Sequence, residues 1–349
     1  YSVQITDANN CPTLNTIFTL SQPDSISMYV SVDSVSCYLG TDGSIVIDSV
    51  TGAIAPYTYL WSNGQTGTTI NNLIAGTYNC IVTDAIGCVD SSNSIIVYQP
   101  DELLVNISIT SNYNGSSLNC YGDSTAELTA ISSGGTPSYS YLWSNGESDS
   151  QIDSLSAGTY SVNVFDINGC QADALITVNN PDSIDFNYSL SNYNGSNVSC
   201  FGYNDGTVDV HINGAVPINY SSIIWTDSIG NLIPSFNILN DTILNNLTAG
   251  VYNLSVLDIN GCYAESSIEL FQPDLLFNSY STDSVTCFGG NDGSAYANPL
   301  GGTAPYQISW STGSTNDTIT GLNAYNTYYV QISDTNNCPM VLDTVNISQ

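Results

Sequence analysis

The sequence predicts an all-β protein: tandem immunoglobulin-like (PKD-like) β-sandwich repeats in an extended rod. Three observations carry this. A five-residue phrase recurs as Asp84-Ala-Ile-Gly-Cys88, Asp166-Ile-Asn-Gly-Cys170, Asp258-Ile-Asn-Gly-Cys262 and Asp334-Thr-Asn-Asn-Cys338, with an earlier copy at Asp7-Ala-Asn-Asn-Cys11. A period of roughly 80 to 90 residues is too long for a solenoid turn and suits one small sandwich per repeat. Ahead of each phrase runs a period-2 stretch that puts Tyr78, Cys80 and Val82 on one face, and likewise Tyr160/Val162/Val164, Tyr252/Leu254/Val256 and Tyr328/Val330/Ile332. All four Trp of the chain, Trp61, Trp143, Trp225 and Trp310, fall at one place in the repeat.

The elements follow in order. Gln22-Pro23-Asp24, Gln99-Pro100-Asp101, Asn180-Pro181-Asp182 and Gln272-Pro273-Asp274 read as short stiff linkers. They divide the chain into the last two strands of a preceding repeat (1–22) and four repeats: 23–99, 100–180, 181–272 and 273–349. An alternating first strand, such as Leu104–Ile109, leads to a turn carrying Cys37, Cys120, Cys200 or Cys287. Asp-Gly follows that turn at Asp42, Asp205 and Asp292, and Asp123-Ser stands there in the second repeat. A second strand, as in Thr207–Ile212, and a Gly/Pro segment then lead into a third strand ending in Trp, the expected core plug of an immunoglobulin-like sandwich. The Tyr-led stretch is the sixth strand of seven. Its alternation means one buried face, and its Tyr resembles a tyrosine corner. In this register Cys80 takes a slot held by Val or Leu elsewhere and is a buried core thiol. Tyr1, Val3 and Ile5 repeat the pattern, but two strands cannot bury a core alone. The third repeat is ten residues longer between Trp and the following Gly, the extra Ile229–Phe236 forming a loop or an added hairpin.

Composition narrows function. The 349 residues contain no Lys or Arg against 31 Asp and Glu, so no Lys or Arg ion pair can form. Nothing here can displace counterions from phosphate, which excludes nucleic acid as a partner, and anionic lipid by the same reasoning. A hydrophobic fraction of 42% and 24 Tyr provide for packed cores. No apolar run approaches the length of a membrane-spanning helix. Ten periodically placed Cys point to an oxidising compartment.

Two cysteine registers fit. One is internal to each repeat: Cys37–Cys88, Cys120–Cys170, Cys200–Cys262 and Cys287–Cys338. The other links neighbours: Cys37–Cys170, Cys120–Cys262 and Cys200–Cys338. In a seven-strand sandwich the first and sixth turns lie at opposite poles, about 30 Å apart for strands of about ten residues. A disulfide needs Cα atoms within about 7 Å. Parity therefore favours the neighbour register.

Three segments resemble the SprB-type repeat of Bacteroidetes gliding adhesins: Val285-Thr-Cys-Phe-Gly-Gly-Asn-Asp-Gly-Ser294, Gly134-Gly-Thr-Pro-Ser-Tyr-Ser-Tyr-Leu-Trp-Ser-Asn-Gly146 and Leu155-Ser-Ala-Gly-Thr-Tyr-Ser-Val-Asn-Val-Phe-Asp166. The resemblance implies export by type IX secretion and display on the cell surface. It also implies O-glycosylation at Asp-[Ser/Thr]-apolar or -Thr triplets: Ser25, Ser34, Ser49, Ser124, Ser154, Ser183, Ser228, Thr242, Ser284, Thr318 and Thr344.

Catalytic constellations are not legible. His211 is the only His, and alternation turns it to solvent. No cofactor is required. Calcium is the one ion with a case, through Asp42, Asp205 and Asp292, although an Asp-Gly turn needs no metal. The expected function is a non-enzymatic structural or adhesive stalk or filament segment of a large secreted cell-surface adhesin, serving gliding motility. Its partners would be neighbouring repeats of the same long chain, surface glycans or other filament subunits. The alternatives are a carbohydrate-binding array and an accessory region of a large secreted enzyme.

Overall fold

The structure is a computed structural model that describes residues 1–9, 11–22, 24–214, 218–238 and 241–349. Pro23, in the first of the linkers above, and Pro217, in the Gly/Pro segment ahead of the Trp225 strand, lie outside the described residues. Among the described residues all regular elements are β-strands, and the chain divides into two compact units.

The first unit comprises Tyr1–Thr110 and Glu127–Val178. It opens with a hairpin of β1 (Ser2–Ile5) and β2 (Leu14–Ile17). Tyr1, Val3 and Ile5, equivalent to a core face elsewhere, are exposed. Repeat 1 follows with β3 (Ser27–Asp33), β4 (Gly43–Thr51), β5 (Thr58–Trp61), β6 (Thr69–Leu73), β7 (Gly76–Tyr78), β8 (Cys80–Thr83), β9 (Val89–Ser91) and β10 (Ile95–Val97). One sheet is ordered β3-β4-β6; facing strands form β5-β8-β9 and β10-β7. Between these layers lie Ile45, Trp61, Ile70, Leu73, Tyr78, Cys80 and Val82. Repeat 2 supplies β11 (Leu104–Ile109), β12 (Ala126–Ser133), β13 (Ser140–Trp143), β14 (Gln151–Leu155), β15 (Gly158–Phe165) and β16 (Gln171–Val178), in sheets β11-β12-β14 and β13-β15-β16. Ile107, Leu128, Trp143, Ile152, Val162 and Val164 are buried there.

The second unit comprises Ser111–Ala126 and Asn179–Gln349. Repeat 3 has β17 (Asp185–Leu190), β18 (Gly206–Asn213), β19 (Ile218–Asp227), β20 (Leu232–Ile233), β21 (Phe236–Ile238), β22 (Asp241–Leu247), β23 (Gly250–Asp258) and β24 (Tyr263–Leu270). Its ten extra residues add one short strand to each sheet, giving orders β17-β18-β22-β21 and β20-β19-β23-β24. Repeat 4 has β25 (Phe277–Asn278), β26 (Ser281–Asp283), β27 (Gly293–Tyr296), β28 (Pro299–Leu300), β29 (Gln307–Trp310), β30 (Thr318–Leu322), β31 (Thr327–Ser333) and β32 (Val341–Asn346). Its sheets are β26-β27-β30 and β29-β31-β32, with the small pair β25-β28. Repeats 3 and 4 each enclose their own hydrophobic cluster, centred on Trp225 and Trp310.

This is the immunoglobulin-like sandwich with one departure from the expected seven strands. Where a fourth strand was expected in repeats 1, 2 and 4, a loop returns the chain from the Trp strand to the far end of the next one. The parity of the poles survives, because that loop travels the path a strand would have taken. In repeat 1, Asp33 pairs with Ser44 at one end of β4 and Ser27 with Thr51 at the other. The turn Asp84–Cys88 sits at the second end, held to Ile54, while Cys37 lies beyond the first.

Candidate functional site: the poles of the repeats

At one pole of each repeat is the recurrent Asp-Cys turn, and its shape is set by the Asp. Asp166 Oδ1 accepts the N–H groups of Asn168 (2.9 Å) and Cys170 (2.9 Å), and its Oδ2 accepts the Thr136 N–H at 2.7 Å. Asp84 makes the same three bonds to Ile86, Cys88 and Ile54. Asp258 bonds to Asn260 and Cys262, and Asp334 to Cys338 and Thr303. Asp7 holds Asn9 and Cys11 in the same way. A short acceptor that reaches two N–H groups of its own turn is an Asx turn, and here the second oxygen also ties in the loop before the Trp strand. At Asp84, burial works to raise the carboxyl pKa, but the N–H bonds from Cys88, Ile54 and Ile86 outweigh it and hold the group below its ordinary value. At Asp7 the Cys11 N–H is the main cause of the lowering.

The opposite pole is a socket built around the other cysteine. Ser36 N–H donates to Asp42 Oδ1 at 3.0 Å, Ser199 N–H to Asp205 Oδ1 at 3.0 Å and Thr286 N–H to Asp292 Oδ1 at 3.1 Å. The Ser199 and Thr286 hydroxyls donate to the second oxygens of Asp205 and Asp292. Hydroxyl and backbone donation from Ser36 and Thr286 lower the pKa values of Asp42 and Asp292. These are the carboxylates considered for calcium. They lie in separate repeats, each occupied in folding its own loop, and among the described residues no group of three or more His, Cys, Asp or Glu could hold a metal ion.

Socket and turn meet through disulfides. Cys37 bonds Cys170 in the first unit, and Cys120 bonds Cys262 and Cys200 bonds Cys338 in the second, with Cα–Cα distances of 5.6, 5.6 and 5.4 Å. This is the neighbour register; none of the internal pairs forms, since Cys88 and Cys287 are unpaired and Cys120, Cys170, Cys200 and Cys262 are bonded across repeats. Beside each bridge an Asn two residues before the turn Cys docks on the socket backbone. Asn168 Nδ2 donates to Ser36 O (3.1 Å), Asn260 Nδ2 to Asn119 O (3.3 Å) and Asn336 Nδ2 to Ser199 O (3.0 Å).

The sequence reading missed these asparagines, because Asn in a turn is ordinary turn chemistry. It also missed a second class of socket. In repeats 2 and 3 the first strand is followed by a miniature hairpin, Tyr113↔Ser116 and Tyr193↔Ser196. Its Asn114 and Asn194 reach Asn260 and Asn336 from the other side. The signal was present as the repeated Asn-Tyr-Asn-Gly-Ser, at 112–116 and 192–196. Repeat 1 departs from the turn pattern. Where repeats 2 and 4 have the bonded pairs Thr136/Asn168 and Thr303/Asn336, it has Ile54 and Ile86, both exposed.

The remaining candidates place as follows. All four Trp are buried, as expected of the core plug. The indole N–H of Trp61, Trp143 and Trp310 donates to the carbonyl six residues on. The expanded loop of repeat 3 removes that acceptor, and Trp225 uses the Thr242 hydroxyl at 3.0 Å. Thr242 is fully buried, which corrects its place among the glycan acceptors; the other ten are exposed. The Tyr78, Tyr160 and Tyr252 hydroxyls donate to the carbonyls four residues earlier, as a tyrosine corner does. One added residue before Tyr328 turns its hydroxyl into an acceptor for the Asn323 N–H. Cys80 is buried opposite Trp61, and burial pushes its thiol up to about 11. His211 is half-exposed and lies 2.6 Å from Asp241 Oδ1.

No curated protein matches this sequence. Among solved structures, the tetra-tandem repeat in the extending region of a large adhesion protein is 17% identical, covering 92% of this chain and 98% of that one, with a TM-score of 0.28. Invasin, described as a bacterial integrin-binding protein, is 11% identical over 92% of this chain and 79% of its own, with a TM-score of 0.29. A Dscam structure is 12% identical over 93% and 99%, with a TM-score of 0.23. The SprB repeat profile matches residues 30–66, 112–148 and 279–315, spanning in each case the socket cysteine and the Trp strand, so the chain carries three SprB repeats.

Proposed function

We propose that this chain is a non-enzymatic length of stalk in a large secreted cell-surface adhesin, its repeats strung as a rod. The observation that carries the reading is the set of three disulfides, each joining the socket of one repeat to the turn of the next. Bridges between modules stiffen joints, and stiff joints serve reach. The disulfides fit an oxidising, non-cytoplasmic setting, and the SprB repeats favour an adhesin over other long secreted proteins. Type IX export, glycosylation at the ten exposed Ser/Thr and a part in gliding or filament formation belong to the same reading. No bound cofactor is needed for it; calcium would be a bystander.

Small-angle scattering of the oxidised chain tests the reading. At about 40 Å per sandwich, a rod gives a maximum dimension on the order of 150 Å. Replacing Cys37, Cys120 and Cys200 by Ser should broaden the distance distribution without unfolding the repeats. A compact particle in both states would sink the proposal. A glycan array probed with the same chain separates the passive stalk, which binds nothing, from a carbohydrate-binding array.

A further inference from the structure

The socket around Cys287 shares the loop hydrogen bonds of the socket around Cys37 and differs from it in what covers it. Around Cys287 the loop is already formed: Thr286 donates its N–H and hydroxyl to Asp292, and the Gly290 N–H closes on Cys287 O at 2.8 Å, as Gly40 closes on Cys37 at 2.9 Å. Yet Cys287 is an exposed free thiol, and Thr286 is exposed where Ser36 and Asn119 are half-buried and Ser199 is buried. The next residue, Phe288, is 85% exposed, against 42% for Tyr38, 62% for Tyr121 and 50% for Phe201 at the occupied sockets. The three occupied sockets show what such a loop receives: an Asx-type turn whose Asn carboxamide bonds the backbone carbonyl before the Cys, and whose Cys closes the bridge.

We propose that the Cys287 pole is a preformed docking socket for the Asp-x-Asn-[Gly/Asn]-Cys turn of a further β-sandwich repeat of this kind, which it captures as a disulfide. The Asn carboxamide seats on Thr286 O and brings the two thiols together. They lose two protons and two electrons to a disulfide oxidant such as oxidised glutathione, which leaves as two thiols, and one Sγ–Sγ bond forms. Phe288 and Thr286 are covered in the process. The inference deepens the stalk reading, since it names how the series continues, but it concerns one joint and stands or falls separately from the rod.

The test extends the full chain at its C-terminus with a second copy of residues 273–349, refolded in a glutathione redox buffer. The copied repeat presents its own Cys338 turn. Non-reducing peptide mapping should link Cys287 of the original chain to the copied Cys338, and alkylation of Cys287 should fall from complete to under a tenth. A second fusion carrying residues 181–272, which presents Cys262, gives the same result with a different repeat and keeps the test open if one added module misfolds. Asn336→Ile in the copy, which imitates Ile86, should slow the oxidation several-fold. If Cys287 stays alkylatable in both folded fusions, or is linked to any other cysteine, the proposal is overturned. Those outcomes would leave the scattering result on the rod untouched.

Discussion

At the scale of single residues, identical chemistry is given different duties by its place in the sandwich. Four cysteines are unpaired: Cys11, Cys88 and Cys287 are exposed, and Cys80 is buried behind Trp61. With its thiol pushed up to about 11 and no access to solvent, Cys80 has almost no thiolate at neutral pH. A thiol reagent added to the native oxidised chain should therefore titrate three groups promptly and the fourth only after denaturant is added. Prompt reaction of a fourth thiol would show that the first core breathes. The aspartates behave as a set. Asp7, Asp42, Asp84, Asp227 and Asp292 all have depressed pKa values in the folded chain. A group whose folded pKa lies below its unfolded one contributes stability above the ordinary carboxylate range and loses it as pH falls through the folded value. Melting temperature should thus hold from pH 7 to about 5 and drop below about 4. Asp84→Asn should flatten that drop by removing one titrating group from a turn.

At the scale of the element, the strand before the tyrosine corner carries a residue with positive φ in every repeat: Asn72 (58°), Ser154 (56°), Asn246 (58°) and Gly321 (77°). In repeats 1, 3 and 4 the register of this strand slips by a residue against its neighbour, the signature of a bulge. Asn and Gly tolerate this left-handed conformation and Ser does so poorly. Ser154→Asn should stabilise the chain by roughly 0.5–1 kcal/mol, a modest fraction of the strain such positions store, read as a higher denaturant midpoint. This rule was not legible beforehand, because Asn-Asn and Asp-Ser inside an alternating stretch look like ordinary polar positions. What could be read was whatever obeys period 2 or must be large and apolar: the Trp plug, the Tyr-led strand and the slot of Cys80. The missing fourth strand was not, since Ser-Asn-Gly after Trp61 signals a turn but not how far the chain runs before pairing again. Nor was the partner of Trp225, which depends on a hydroxyl 17 residues away in another strand.

For the whole molecule, the charge is one-sided. Thirty-one carboxylates face no Lys or Arg, so folding gathers like charges with only solution cations to screen them. Raising salt from about 10 mM to about 150 mM shortens the Debye length from about 30 to about 8 Å. The melting temperature should rise over that range and then level off. A chain stabilised by ion pairs would show the opposite slope. Polarity between poles was legible from strand parity, and so the choice of disulfide register could be argued from the sequence alone. The Asn clasp beside each bridge could not, because it is a property of two repeats together and appears in neither alone.

The spans closed by the three bridges interleave: 37 to 170, 120 to 262 and 200 to 338. A tensile load entering at Cys37 can cross to Cys170, follow the backbone to Cys200 and cross again to Cys338. Even with every sandwich pulled apart, the taut path between those ends runs through the short tether from Cys170 to Cys200, on the order of 100 Å at full extension, while the rest of the polypeptide hangs slack. For the same reason a single protease nick at any bond between Cys37 and Cys338 severs nothing, because at least one bridge always bypasses it.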